Sequence, residues 1–507
     1  MDITINRESK TPIYLQIKKQ LEHQIAVGKL PANFILPAER TLSTKLGVNR
    51  STVVKAYMEL KADGLVESRI GSGTVVLAPL TKDIDQEKMY IPPLRWGQFE
   101  SKRFAKSGEQ TINNILSVFE KERIISFASG ISSEDACNIN LMKNLQTQTI
   151  EKYREKLFMP TPVDGSIELK TAIKAYIQEK SINAGTKQIM VTSGSQQSIE
   201  FFARTIIEPG DVVLVEEPTY IGAIQAFENY DAKIIGIPMD DHGIRLDILE
   251  SCLIKYRPKF IYTQPNFHNP TGVSMSLERR KGLLKLAYYY NLPILEDDPY
   301  GELYYSGNYP IPSLKSLDNN DYVVYLSSFS KTISFSLRVG FVVASENVIS
   351  RFIQFKQITD IQTSTYSQLV INEFLRGGHM GPHLDYLRKI YKYKRDLMLS
   401  ELNKVSVDGM TITVPNGGYF IWLKLPDYIC MNEFVKSLAD KGVVVMLGDI
   451  FYPGYSIEGN YIRLNFSYPS EKDIKEGVSI LKNCIKKYSS GSLKKKYAFE
   501  AEINPFL

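Results

Sequence analysis

The chain of 507 residues has only four cysteines, Cys137, Cys252, Cys430 and Cys484, far apart and with no CxxC pair. That excludes a disulfide framework and a structural zinc knuckle, and points to a reduced, cytoplasmic protein. Histidine is almost as scarce, at five residues. His379 and His383 are four apart, but Gly377, Gly378, Gly381 and Pro382 around them argue against a helix-borne ligand pair, so no metal is expected. No apolar run approaches the roughly 18 residues that a membrane helix needs. The opening segment Met1–Glu8 lacks the apolar stretch of an export signal. Internal repeats are also absent.

What is present is ordinary globular composition, 43% hydrophobic and 23% charged, over a length that calls for two or more domains. The net charge of +5 is uneven. Residues 1–80 hold 11 Lys and Arg against 7 Asp and Glu, an excess compatible with phosphate attraction or simply with a solvated basic face.

Helical spacing of Ile13, Leu15, Ile17, Leu21, Ile25 and Val27 predicts a first helix that ends at Gly28. A second is predicted from Ala38 to Leu46, broken by Gly47. Asn49 is placed to cap a third, from Arg50 to about Ala62, stopped by Asp63-Gly64. Leu65–Arg69, a Gly71-Ser72-Gly73 turn and Thr74–Leu77 read as a hairpin. Three helices and a hairpin form an α+β winged helix-turn-helix pattern over residues 1–78. Residues 79–122, with Pro79, Pro92 and Pro93, read as a linker that turns helical near its end.

From 123 to 487 short apolar runs (212–215, 259–263, 293–296, 323–326, 340–344) alternate with amphipathic stretches. That predicts a large α/β domain with a mainly parallel sheet, and a smaller α+β subdomain from about 395. The tail 488–507, with Lys494-Lys495-Lys496, reads as a flexible or docking segment.

The run Leu36-Pro37-Ala38-Glu39-Arg40-Thr41-Leu42 through Gly47-Val48-Asn49-Arg50-Ser51-Thr52-Val53, with Gly64-Leu65-Val66-Glu67 and Gly71, resembles the GntR-type winged helix. Packing accounts for Leu42, Leu46, Val48, Val53, Tyr57 and Leu60. The resemblance implies that Asn49, Arg50, Ser51 and Thr52 start the recognition helix in the major groove of a double-stranded operator. It implies further that Arg40 reaches a phosphate or base, and that Gly71 lets the wing approach the minor groove. Two residues beyond Thr52, where many relatives carry arginine, this chain has Val54, followed by Lys55.

Lys331, in Ser327-Ser328-Phe329-Ser330-Lys331-Thr332, is a lone lysine among small polar neighbours and can condense with an aldehyde. The block resembles the pyridoxal 5'-phosphate lysine region of fold-type I aminotransferases. That resemblance implies a phosphate cup from Ser193, Gly194, Ser195 and Gln196 at a helix N-terminus, completed by Ser328 and Arg338. It implies that Tyr220 stacks on the cofactor ring and that Asn269, in Asn269-Pro270-Thr271-Gly272, bonds its phenolic oxygen. Asp297, three residues before Tyr300, would keep the ring nitrogen protonated, with Asp298 the competitor. Gly130 and Arg463 would meet the effector, Arg463 through its carboxylate; a surface salt bridge is the alternative for Arg463. Gly130-Ile131-Ser132 lacks the proline common after this glycine, and Phe158–Gly165 lacks the tyrosine that often reaches a neighbouring subunit.

The two blocks together look like a MocR/GabR-type regulator, a homodimer sensing an amine, an amino acid or the cofactor itself. A working aminotransferase with an appended DNA module, or a lyase or racemase on the same fold, stays open, because sensing and turnover share the same first step.

Overall fold

The computed structural model describes residues 3–7, 9, 11–69, 73–77, 99, 124–305, 309–405, 407–455 and 457–489. Gly71, the linker apart from Phe99, and residues 490–507 of the tail lie outside them, while 488 and 489 end the helix Glu471–Ser489. The chain divides into two compact units, with the division after Glu100.

In the first unit, α1 (Ile13–Ala26), α2 (Glu39–Leu46) and α3 (Arg50–Ala62) precede an antiparallel hairpin of β1 (Val66–Arg69) and β2 (Gly73–Val76). Ile17, Leu21 and Ile25 of α1 recur at helical spacing and bury against Leu42, Val53, Tyr57 and Leu60, while Leu46 and Val48 are half-buried at the edge. Gly47 ends α2 in the left-handed region (φ 61°). Tyr57 Oη donates to Pro37 O at 2.9 Å and fixes the approach to α2. One detail differs from the sequence reading. Asn49 occupies the N-cap position of α3 with extended backbone, but its side chain makes no capping hydrogen bond.

The second unit is built on an eight-stranded sheet in the order β4-β11-β10-β9-β8-β5-β6-β7. These are β4 (Ile189–Thr192), β5 (Val212–Glu217), β6 (Lys233–Asp240), β7 (Gly243–Ile244), β8 (Phe260–Thr263), β9 (Ile294–Asp297), β10 (Val323–Ser328) and β11 (Gly340–Val343). Only β11 and β7 run antiparallel to their neighbours. Strands β4, β8, β9, β10 and β11 are buried along their whole length, which explains their continuous apolar runs. A smaller antiparallel sheet orders β12 (Thr411–Ile412), β13 (Phe420–Leu425), β16 (Asn460–Asn465) and β15 (Met446–Leu447). Near the start of the unit, β3 (Ile125–Ser126) pairs in parallel with β14 (Val443–Val444).

His383 sits inside the helix Met380–Leu402, which the sequence reading did not expect. Gly381 and Pro382 fall in its first turn, where a missing amide hydrogen costs nothing. His383 Nε2 lies 2.7 Å from Thr332 O, and no metal-binding cluster exists among the described residues. No helix among them is long and apolar enough to cross a membrane.

Arg280 is fully buried in the helix Leu277–Tyr289 and acts as a hub. It donates to Met275 O at 3.0 Å, Pro312 O at 3.0 Å, Pro265 O at 2.9 Å and Asn266 Oδ1 at 2.6 Å. These bonds fix the segment that leads from β8 to Asn269. Arg280→Met removes the charge and strands several buried acceptors. Thermal and urea unfolding should show a loss of roughly 3–5 kcal/mol. A loss under about 1 kcal/mol would show that the hub is dispensable.

Candidate cofactor and effector site

The carboxyl ends of the parallel strands deliver the candidate residues, as open α/β sheets generally do. Asp297 ends β9, and Lys331 stands three residues beyond β10. Ser193 and Gly194 join β4 to the helix Ser195–Ile206, and Tyr220 leads from β5 into the helix Ile221–Glu228. Arg463 arrives from β16 of the smaller sheet. A cavity of about 390 Å³ is lined by Gly130, Ser195, Tyr220, Asn269, Asp297, Tyr300, Lys331 and Arg463 among others. The sequence-nominated residues of the large domain therefore largely converge.

Asp297 is buried, and its Oδ2 accepts from Tyr262 Oη at 2.8 Å and from Gln264 Nε2 at 2.7 Å. Its Oδ1 is buried with no partner. Burial pushes the carboxyl up to about 6, against the two hydrogen bonds. Asp298 is used otherwise: it accepts from Asn266 Nδ2, Gly301 N and Tyr325 Oη and does not line the cavity.

Lys331 Nζ donates to Gly130 O at 2.6 Å. Burial, reinforced by the Arg463 and Arg338 cations and opposed by Asp297, brings its ammonium down to about 8. Arg463 is buried, not a surface ion pair. Its guanidinium donates to Asn269 Oδ1 at 2.8 Å and Ala128 O at 2.6 Å, and lies against Phe420 (4.1 Å) and Phe451 (5.0 Å). Its Nε is buried and unpartnered, and burial brings the group down to about 10.

At the other end of the site, Arg338 donates to Ser193 O at 3.1 Å and to Ser330 Oγ at 3.3 Å. A Cβ on Gly194 would stand 2.6 Å from Arg338 Nη2, and its φ of +92° disfavours any side chain, so this turn requires glycine. Gln196 Nε2 donates to Gly222 O at 2.8 Å. Ser328 Oγ is turned into its own loop, 3.3 Å from Val339 O and 3.1 Å from Ser330 N.

Several supporting residues carry no sequence signal. Glu216, buried and pushed up to about 7, accepts from the main-chain N of Gln264 at 2.8 Å and so fixes the backbone of the residue whose side-chain amide holds Asp297. His268 approaches Glu216 at 3.4 Å, yet burial takes its imidazole down to about 3, so this is no ion pair. Behind the Ser193 turn, Asp360 Oδ2 accepts from Ser193 Oγ at 3.1 Å and Gln197 Nε2 at 2.9 Å, and the buried Lys356 holds both Asp360 oxygens at 2.8 Å.

In the first unit, Arg40, Asn49, Arg50 and Ser51 are exposed and Thr52 is half-buried at the start of α3. Arg50 Nη2 is 3.3 Å from Glu39 Oε2, a solvent-exposed pair between the first residues of α3 and α2.

Residues 122–481 match the aminotransferase class I and II family, and residues 13–76 match the bacterial regulatory proteins of the gntR family. The chain belongs to the class I and II aminotransferase family and carries a gntR-type module at its N-terminal end. It is similar along most of its length to HTH-type transcriptional regulators. YdfD of Bacillus subtilis is 32% identical, over 95% of this chain and 98% of its own. NorG of Staphylococcus aureus is 29% identical, over 89% and 99%. The aromatic-amino-acid aminotransferase 1 of Thermococcus litoralis is 34% identical, over 79% of this chain and 97% of its own. Among solved structures, the Pyrococcus horikoshii kynurenine aminotransferase superposes with a TM-score of 0.74 at 36% identity, over 78% of this chain and 98% of that one.

Pyridoxal phosphate is the cofactor of this fold, and the residues fit it. The vacant Asp297 Oδ1 asks for a buried cationic donor such as a protonated pyridine nitrogen. Lys331 is an amine brought toward neutrality, and the Arg338–Gly194 turn at a helix N-terminus suits a phosphate.

The Lys331 amine must be neutral to attack a carbonyl. Its pKa, brought down to about 8, implies that the stripped protein takes up pyridoxal phosphate faster as pH rises, with a midpoint near 8. Arg463→Gln removes one of the charges that lower it and should move the midpoint upward. A wild-type rate still rising through the ordinary lysine value of 10.5 would contradict this. Asp360→Asn should weaken pyridoxal phosphate binding by roughly tenfold, the scale of an outer-shell partner, and leave pyridoxal binding nearly unchanged. Equal losses for both ligands in fluorescence titrations would remove Asp360 from the phosphate end.

Proposed function

We propose that the protein is a pyridoxal-phosphate-dependent transcriptional regulator, cytoplasmic and homodimeric, that senses an amine or amino acid and acts on double-stranded DNA. The observation that carries this reading is the presence in one chain of a gntR-type winged helix and a cavity lined by Lys331, Asp297 and Arg463. Relatives that match both parts together are named as transcriptional regulators.

Bound in this cavity, pyridoxal phosphate supplies a carbonyl for primary amines and an electron-withdrawing ring. Lys331 is the amine that would anchor it, and Asp297 would hold a proton on the ring nitrogen through Oδ1. Tyr220 would stack on the ring and Asn269 would meet its phenolic oxygen, with Tyr300 beside them. The amides of Ser193–Gln196 with Arg338 would bind the phosphate, and Ser328 would brace the loop that carries Lys331. Arg463, already flanked by two aromatic rings, would take the carboxylate of the incoming ligand, and Gly130 would border it. In the winged helix, Arg50, Ser51 and Thr52 would read the major groove from the start of α3, with Arg40 on a phosphate or base and Gly71 in the wing.

A second reading is a working aminotransferase with an appended DNA module. It is favoured by the T. litoralis relative, named as an aminotransferase, and by the same three site residues. Steady-state turnover with amino acids and keto acids separates the two.

Arg50→Ala should cost roughly 1–3 kcal/mol of operator binding at fixed salt and leave the visible absorption of the holoprotein unchanged. In footprints with and without effector, Arg463→Ala should abolish the effector's influence and keep basal DNA binding. An undiminished response in that variant would mean that another group holds the carboxylate.

A further inference from the structure

The charged side chains lining the cavity are Asp297, Lys331 and Arg463. The proposed function engages all three: the ring nitrogen at Asp297, the carbonyl at Lys331 and the ligand's carboxylate at Arg463. Arg338 belongs to the phosphate end, where it contacts Ser193 and Ser330. No fourth charged side chain lines the cavity among the described residues to meet a charge on the remainder of the ligand.

The rest of the wall carries no charge: Ser129, Ser195, Tyr220, Gln264, Asn269 and Tyr300 are its polar part, and the larger remainder is apolar or backbone. Ile131, Ile221, Phe335, Phe420 and Met446 all line the cavity. Phe420 backs the Arg463 guanidinium at 4.1 Å and so stands on the carboxylate side. Phe335 stands between the amine and the phosphate end, with its ring centre 5.3 Å from Lys331 Nζ and 5.0 Å from the Arg338 guanidinium and the residue 45% exposed. A cavity of about 390 Å³ that must also hold a pyridine ring has room for a single amino acid. A charged side chain facing this wall would lose hydration with no counter-ion, whereas an apolar one gains in proportion to the area it buries.

We infer that the ligand sensed at this site is an α-amino acid with an uncharged apolar side chain, aromatic or large aliphatic. Phe335, Ile221 and Met446 form the compartment that receives that side chain. The inference rests on the amine-sensing reading and narrows it.

The test is an absorption titration of the purified holoprotein with L-phenylalanine, L-leucine, L-glutamate and L-lysine. L-phenylalanine and L-leucine should shift the visible band at concentrations about tenfold or more below those needed for the charged pair. Phe335→Ala, at a half-exposed position, should raise the half-saturating L-phenylalanine concentration about tenfold and leave that for L-alanine nearly unchanged. Equal or better responses to L-glutamate or L-lysine overturn the inference and leave amine sensing standing. A Phe335→Ala protein that titrates like wild type overturns the assigned compartment. A band that no amino acid moves overturns the amine-sensing reading and this inference with it.

Discussion

The structure turns on a carboxylate that is buried and only half used. Asp297 has one oxygen held by Tyr262 and Gln264 and the other buried with nothing to accept from. An unsatisfied buried acceptor costs about 1–3 kcal/mol, more when charged. The same cavity buries the unpartnered Nε of Arg463 and an amine shifted toward its neutral form at Lys331. Each is unfavourable in isolation. They would become mutually consistent if, as proposed, bound groups bring a cationic ring nitrogen, an electrophilic carbon and a carboxylate to the three positions. The fold tolerates the arrangement because the sheet delivers all three groups from rigid elements and ordering them has already been done by the core.

Asp297, the Ser193 turn and the approach to Asn269 are each held from behind by a polar partner. Glu216 orients Gln264, which holds Asp297. Lys356 holds Asp360, which holds the Ser193 turn. Arg280 fixes the chain that leads to Asn269, and Asn269 in turn accepts from Arg463. Burial raises Glu216 and Glu296 to about 7, and Glu296 accepts from the amides of Leu314 and Lys315. These carboxylates serve as loop clamps; they do not line the cavity. Ionisable groups buried around the site therefore divide into those that line the cavity and those that hold loops.

That Asp297, Tyr300, Asn269 and Lys331 line one cavity was legible in the sequence because local spacing marks them. Asp297 and Tyr300 lie three apart after an apolar strand, Asn269 sits in an Asn-Pro-Thr-Gly turn, and Lys331 lies in a serine-rich block. The clamps were not legible. Asp360 reaches Ser193 across 167 positions and Glu216 reaches Gln264 across 48, so no local period marks either contact. Glu39 is likewise silent until α2 and α3 pack and bring it to Arg50. Where local reading missed, a generic rule was overridden. Asn49 stands at the position where asparagine usually caps but its side chain makes no capping bond, and Pro382 lies in the first turn of a helix where its neighbourhood suggested none.

The segment 127–133 links these observations to the question of transmission. It follows β3, the first strand after the linker, and is stitched to the smaller sheet: Asn465 N donates to Phe127 O at 2.7 Å, and Asn465 Nδ2 donates to Ser129 O at 2.6 Å. Ser467 Oγ donates to Ile131 O at 3.0 Å. Two further ties come from the cavity itself, Arg463 to Ala128 O and Lys331 to Gly130 O. Whatever engages those two cations competes for the donors that hold this segment. A hydrogen bond from a charged group contributes about 1.5–3 kcal/mol. Coupling between a ligand site and a distant function typically amounts to about 1–3 kcal/mol, so one such bond is of the right size. The clamps behind Asp297 and Ser193 make none of these bonds, so the segment is tied to the cavity through Arg463 and Lys331 and not through the groups that hold Asp297 and the Ser193 turn.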